Sequence, residues 1–378
     1  MSRILTDAQR LKFRLLERGL TISPEASLVL RDATDDRQLT PADYASTSGI
    51  ILRLEDDVWV NAPIAEYNPN FVGDTPFTLK VVGEEGLLVD GGDLSSVAQF
   101  WLPPRYHGEA DTAGTPFNRF VFTHADRVRL APVQGCAMAC KFCNVPYQDR
   151  YDTKPIESML AAVRVALDDP IQPARHMLIS GGTPRMEDVP YLREVYRRVL
   201  VAFPDIDIDI MMAPVEGLLD VQELADLGIH ELSINLEIFS PRTARSLMPQ
   251  KFRQGIDTYL GFIEQAATVL GPGRVRSMLM VGLEPSEDTL EGVRAIIDNG
   301  GVPVLSPFRP DPSTPLHDRK PALFGELEAV FLRAERIADQ AGTILGPTCL
   351  PCTHNTLTLK STDSYQAAVY LHPLPAMV

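Results

Sequence analysis

Residues 127–143 read RVRLAPVQGCAMACKFC, a strand-like run from Arg127 to Val133 that empties into a loop holding Cys136, Cys140 and Cys143. Behind the loop, Ile156, Met159, Leu160, Val163 and Leu167 recur at helical spacing, so the stretch is one strand–loop–helix unit. The alternation continues. HMLIS at 176–180 leads through the turn Gly181-Gly182-Thr183-Pro184 to a helix with the stripe Val189, Leu192, Val195, Val199 and Phe203. Strands are expected at 206–212, 232–238, 276–283 and 302–308, with helices between them. Ser286 takes the N-cap position before Leu290, Val293 and Ile297, and a last helix carries Leu323, Leu327, Val330, Phe331, Ala334 and Ile337. Six units fall short of the eight that close a barrel. The expected fold class is therefore α/β, a partial (β/α)6 TIM-like barrel over residues 126–340 with its chemistry at the C-terminal ends of the strands.

Residues 1–125 are expected to form a small β-rich N-terminal domain. Thr6 and Gln9 give a capping-box signature for an opening helix, and SLVLRD (27–32), GIILRL (49–54), FTLKVV (77–82) and GLLVD (86–90) look like short strands. Residues 341–378 form a C-terminal extension. No internal repeat or low-complexity segment interrupts the chain.

Of the 378 residues, 45% are hydrophobic and 22% charged, the balance of a folded globular protein. The net charge of −15 repels phosphate backbones and anionic headgroups, which argues against nucleic acid as a partner. The start, MSRILTDAQR, has no apolar core of a signal peptide, so the cytoplasm is the expected location. The longest uncharged run, Gln340 to Leu359, carries Gly, Pro, Thr, Asn and His and is unsuited to a membrane span. Five cysteines in two tight groups, 136/140/143 and 349/352, point to metal and away from a disulfide framework.

Three soft ligands on one loop suit an iron-sulfur cluster, and three thiolates on a four-iron cluster leave one iron free for a non-protein ligand. The alternatives are a zinc site completed by the distant pair Cys349 and Cys352, or three buried thiols. With Phe142 in the last spacer, the pattern Cys-x-x-x-Cys-x-aromatic-Cys after a barrel strand resembles the signature of the radical S-adenosylmethionine (radical SAM) enzymes. The resemblance spans roughly 127–320 and leans toward the biotin-synthase-related branch. It implies a 4Fe-4S cluster on Cys136, Cys140 and Cys143, SAM chelated to the free iron, and an electron donor such as flavodoxin or ferredoxin. Reductive cleavage of SAM would give a 5′-deoxyadenosyl radical that abstracts hydrogen from a small-molecule substrate.

By the same resemblance, Gly181, Gly182 and Thr183 stand where the family's Gly-Gly-Glu holds the methionine amine, with Thr183 replacing the acid. Asn235 and Glu237, on the polar face of LSINLEI (232–238), resemble the Asn-x-Asp/Glu of biotin synthase and lipoyl synthase, which meets the SAM ribose and the substrate. Gly282 matches the glycine stretch near adenine. Arg253 is a candidate for the SAM carboxylate and Arg309 for an anionic substrate.

The C-terminal Cys349-Leu-Pro-Cys352-Thr-His354 leaves several readings open. It offers ligands for an auxiliary iron-sulfur cluster that feeds sulfur insertion, or a zinc site completed by His354. Otherwise it is a redox or hydrogen-donor thiol pair serving a rearrangement, elimination or epimerisation, or two inert buried thiols. A non-catalytic zinc or iron-sulfur protein is the remaining class.

Overall fold

The computed structural model describes residues 3–32, 49–83, 86–359 and 371–372. Parts of both expected end regions, 1–2, 33–48, 84–85, 360–370 and 373–378, lie outside the described residues.

Helix α1 (Asp7–Arg18) starts at the expected capping box, where the Thr6 hydroxyl accepts from Gln9 N and the Gln9 side chain accepts from Thr6 N. Strand β1 (Thr21–Ile22) and helix α2 (Pro24–Asp32) follow. The run 27–32, expected as a strand, is thus the end of a helix. Ser23 caps it by accepting from Ala26 N, Pro24 and Glu25 fill its first turn, and Ala26 and Leu30 go inward while Leu28 stays half exposed.

Strands β2 (Gly49–Arg53), β3 (Trp59–Pro63), β4 (Thr78–Val82), β5 (Gly86–Asp90) and β6 (Ser95–Trp101) complete a sheet of order β1-β4-β5-β6-β2-β3, with helix α3 (Pro69–Val72) between β3 and β4. Most of its pairs are antiparallel.

A second sheet begins with β7 (Val121–His124), which pairs antiparallel with β8 (Arg127–Leu130). An edge strand of the barrel sheet therefore lies before residue 126, on the N-terminal side of the expected boundary. A short hairpin of β9 (Val133–Gln134) and β10 (Asp152–Thr153) brackets the cysteine loop and helix α4 (Val145–Gln148). The chain then alternates through α5 (Ile156–Leu167), β11 (His176–Ile179), α6 (Val189–Ala202), β12 (Asp207–Met211), α7 (Val221–Asp226) and β13 (Glu231–Ser233). After α8 (Pro241–Leu247), α9 (Pro249–Gln254) and α10 (Ile256–Leu270) come β14 (Val275–Val281), α11 (Ser286–Asp298), β15 (Val302–Pro307) and α12 (Phe324–Gln340).

The sheet order β15-β14-β13-β12-β11-β8-β7 joins six parallel strands and the antiparallel edge. Among the described residues its two ends do not pair with each other, so this is a curled, open half-barrel. Val128 and Leu130, Met177 and Ile179, and Ile208 and Ile210 are buried. Leu279, whose methyl groups stand beside Gly292 of α11, marks this face as the one covered by helices. The residues between them are largely polar and face the barrel interior: Arg127, Arg129, His176, Asp209, Glu231 and Arg276.

Two helix expectations need correction. Ser286 is the first residue of α11, not its cap, because its hydroxyl donates to Glu326 of α12 (3.2 Å). Leu323 precedes α12 and is exposed, whereas Leu327, Val330, Phe331 and Ala334 form the buried stripe.

The far edge of the half-barrel is covered by the C-terminal segment. Gly346 N donates to Pro303 O (2.9 Å) and Leu357 N to Leu305 O (2.9 Å), so the segment runs beside β15. Strand β16 (Leu371–His372) then pairs antiparallel with β6 of the first sheet. On the other side, α1 packs against β3, β6 and α12, with Phe13 and Phe331 edge to face at 5.4 Å.

Candidate active site at the cysteine loop

The loop of Cys136, Cys140 and Cys143 lies at the C-terminal end of β8, and the turn after β11 presses against it. A Cβ on Gly182 would stand 1.7 Å from Gly135 O and 2.8 Å from Cys136 Cα, so this backbone approach admits only glycine. The contact aims donors at sulfur. Thr183 N donates to Cys136 Sγ (3.2 Å) and Met138 N donates to the same atom (3.3 Å), while Ala137 N donates to Thr183 O (2.9 Å). Gly181 and Gly182 thus act through their backbone, and the residue after them needs no acid to do the same.

All three cysteines are free thiols. Burial pushes up the Cys140 thiol and takes Cys143 to about 11, and Glu237 nearby adds to both. Phe142, between them, is buried and holds the loop in the core. A metal must displace the thiol protons on binding. The residues present fit an iron-sulfur cluster: soft donors on one loop, backbone N–H groups directed at sulfur, and a glycine cradle that a side chain would fill.

Around the loop, LSINLEI is a strand only to Ser233. Beyond it Asn235 Oδ1 accepts from Ser233 Oγ (2.9 Å) and Met278 N (3.1 Å), which fixes the amide between β13 and β14. Glu237 sits at φ +66°, uncommon for a residue with a Cβ, and its carboxylate accepts from Lys251 Nζ at 2.8 Å. Burial works against the Lys251 charge, yet Glu237 beside it holds the ammonium well above its ordinary range.

Arg253, expected to meet a carboxylate, is exposed on α9, and its neighbour Lys251 is the one turned inward. Arg309 is buried and donates to Asn61 O of β3 (3.1 Å), which places it at the seam with the first sheet. Gly282, at φ +98°, gives its carbonyl to Arg319 (2.9 Å), and a Cβ there would meet Ala322 at 2.8 Å.

Three groups escaped the sequence reading. Arg129, half-buried inside the barrel, donates to Ser180 Oγ (2.8 Å) and interacts electrostatically with Cys143. Its signal was the alternation Arg127-Val-Arg129-Leu, in which the charged positions share a face. Glu284 is buried and accepts from Ser240 N (2.6 Å), Phe239 N and Thr289 Oγ1, so it ties the end of β14 to the loop before α8.

The third, His176 with Asp126, lies at the opposite end. Cys349 and Cys352 meet His176, the first residue of β11, and Asp126, just before β8. His354 is not among the donors that converge there. Burial drives its imidazole well below the ordinary value, and His124, Arg127, Arg309 and Lys12 add to that. The two cysteine groups therefore occupy opposite ends of the half-barrel.

The sequence model described as the Radical SAM superfamily matches residues 130–297, from the end of β8 to α11. No curated protein matches the chain. Among solved structures, the FeFe-hydrogenase maturase HydG from Carboxydothermus hydrogenoformans is similar at 16% identity over 59% of this chain and 55% of its own, with a TM-score of 0.46. A radical SAM methyltransferase from Sphaerobacter thermophilus is similar at 17% identity over 75% and 79%, also at 0.46. SuiB from Streptococcus suis, bound to the precursor peptide SuiA, aligns at 17% identity over 61% and 51%, with a TM-score of 0.45. The chain spans about half the length of HydG and SuiB. Residues 130–297, with the three-cysteine loop at their start, are thus the part of the chain that is similar to the radical SAM superfamily.

Proposed function

We propose that the chain is a radical SAM enzyme that takes a hydrogen atom from a small-molecule substrate. The observation that carries this reading is the loop of three free thiols braced by Gly182 and by two backbone N–H groups on Cys136 Sγ. When bound, the 4Fe-4S cluster and SAM supply a primary carbon radical, made as one electron from a flavodoxin- or ferredoxin-type donor splits the S–C5′ bond.

The protein's own part is to hold, orient and shield. Cys136, Cys140 and Cys143 would hold the cluster. Gly181 and Gly182 offer bare backbone to the methionine end, and Arg129, half-buried on the cluster side, replaces the exposed Arg253 as the cation for an anionic group. The neutralised Lys251–Glu237 pair closes the rim beside Cys140. Met278 and Met280, half-buried between the helix-facing residues of β14, offer an apolar inner wall that excludes water.

The geometry does not favour a part for Cys349 and Cys352 in the reaction, whether as sulfur source or as hydrogen donors. They meet His176 at the start of β11, whereas Gly181 lies five residues on, about 17 Å along an extended chain.

The test is anaerobic reconstitution with iron and sulfide, addition of dithionite and SAM, and measurement of 5′-deoxyadenosine. Wild type is expected to form it, and Cys140→Ala to fall to background while keeping the circular dichroism of the wild type. Undiminished 5′-deoxyadenosine from that variant would overturn the reading.

A further inference from the structure

Asp126, His176, Cys349 and Cys352 come from three parts of the chain, yet their donor atoms all lie within 4.8 Å of one another. The separations are nearly uniform. Cys349 Sγ is 3.6 Å from both His176 Nε2 and Asp126 Oδ1, and Cys352 Sγ is 3.5 Å from His176 Nε2 and 3.9 Å from Asp126 Oδ1. His176 Nε2 and Asp126 Oδ1 are 3.3 Å apart. Bonds of about 2.3 Å to sulfur and 2.0–2.2 Å to nitrogen and oxygen, set tetrahedrally, give edges of about 3.4–3.8 Å. Five of the six edges are thus close to those of one tetrahedron, and the sixth, between the two sulfurs, is no longer than 4.8 Å.

We propose that Asp126, His176, Cys349 and Cys352 bind a structural Zn2+ that pins the C-terminal segment to the N-terminal end of the half-barrel. The donor chemistry selects the metal. Two thiolates, one imidazole and one carboxylate around a single point suit Zn2+, whereas the ligands of a polynuclear iron-sulfur cluster are divided among two or more irons, so the set of four spreads beyond one ion's reach. The surroundings complete the site. A cavity of about 230 Å³ opens beside the thiols, lined also by Arg127, Asp209 and Arg276. Two thiolates and a carboxylate leave the zinc complex one negative charge, and Arg127, whose buried Nε has no hydrogen-bond partner, stands next to Cys352 to offset it. Arg276 is held by Asp209 (2.7 Å) and Glu231 (2.6 Å), so its charge is already balanced.

The inference stands apart from the radical reading, and the experiment separates them. Full-length protein purified anaerobically is analysed for metals by mass spectrometry, beside a variant with Cys136, Cys140 and Cys143 all changed to Ala. Zinc near one per chain is expected in both, with iron lost only from the triple variant. Cys352→Ser and His176→Asn are expected to lose most of the zinc, and His354→Asn to keep it. Should the first two fail to fold, Co2+ exchanged into the wild type gives a reading without mutation, as the intense visible bands and sulfur charge-transfer of a tetrahedral thiolate site. Octahedral Co2+ spectra, or iron with sulfide retained by the triple variant, would overturn the proposal. So would loss of zinc from the triple variant.

Discussion

At the scale of single residues, the cysteine loop depends on one missing side chain. Gly182→Ala forces a methyl group onto Gly135 O and pushes the turn away from Cys136. Loss of this support is expected to lower iron affinity by about 10- to 100-fold, the usual effect of removing an outer support of a metal site, as read from iron per chain after reconstitution. The Lys251–Glu237 pair makes a second case. Both side chains are nearly buried, so Glu237→Gln strands an ammonium and is expected to cost about 3–5 kcal/mol in urea unfolding. Lys251→Met combined with Glu237→Gln should recover most of that loss, since no unpaired charge remains. The sequence made the three thiols and the glycine pair legible because each is a local pattern. It hid His176 and Asp126, which meet the C-terminal thiols across as many as 226 residues and belong to no motif. His354 looked the better ligand only because it is close in sequence to Cys352.

At the scale of elements, α1 reaches under the barrel through Lys12, fully buried, whose ammonium donates to Thr353 O (2.9 Å) and Thr358 O (2.7 Å). Burial without a counter-charge lowers it from 10.5 to about 7. Between those values the unfolded chain binds more protons than the folded one, so this group's contribution rises from about pH 7 toward 10.5 and is lost as pH falls through 7. The unfolding free energy of wild type minus that of Lys12→Met is therefore expected to increase over that window; a flat difference would place the amine in contact with water. The barrel strands were readable because buried apolar positions alternate with polar ones along β8 and β12. Helix α2 was not, because its run Leu28-Val29-Leu30 looks like a strand until Ser23, Pro24 and Glu25 are recognised as a helix start. Strand β13 ends at Ser233, and beyond it Glu237 leaves the extended conformation at φ +66°, a bend that alternation alone does not betray.

At the scale of the whole molecule, the half-barrel has one edge covered by β7 and the other by a segment more than thirty residues downstream of β15 in sequence. A chain ending at residue 340 lacks Gly346 and Leu357 and leaves the Pro303 and Leu305 carbonyls of β15 unpaired. It is expected to elute as large aggregates in size-exclusion chromatography, whereas the full chain elutes as a defined species. The six-strand count was legible in the sequence, but the way the open edge is finished was not, because a segment rich in Thr, Pro and Gly carries no strand periodicity. This arrangement also sets an order of events at the ribosome. Barrel strands emerge early, and β15 must wait with a bare edge until residues 346 to 357 clear the exit tunnel. During that interval the nascent chain is open to strand exchange with its neighbours on a polysome. Crowded synthesis is thus a point of vulnerability for this fold.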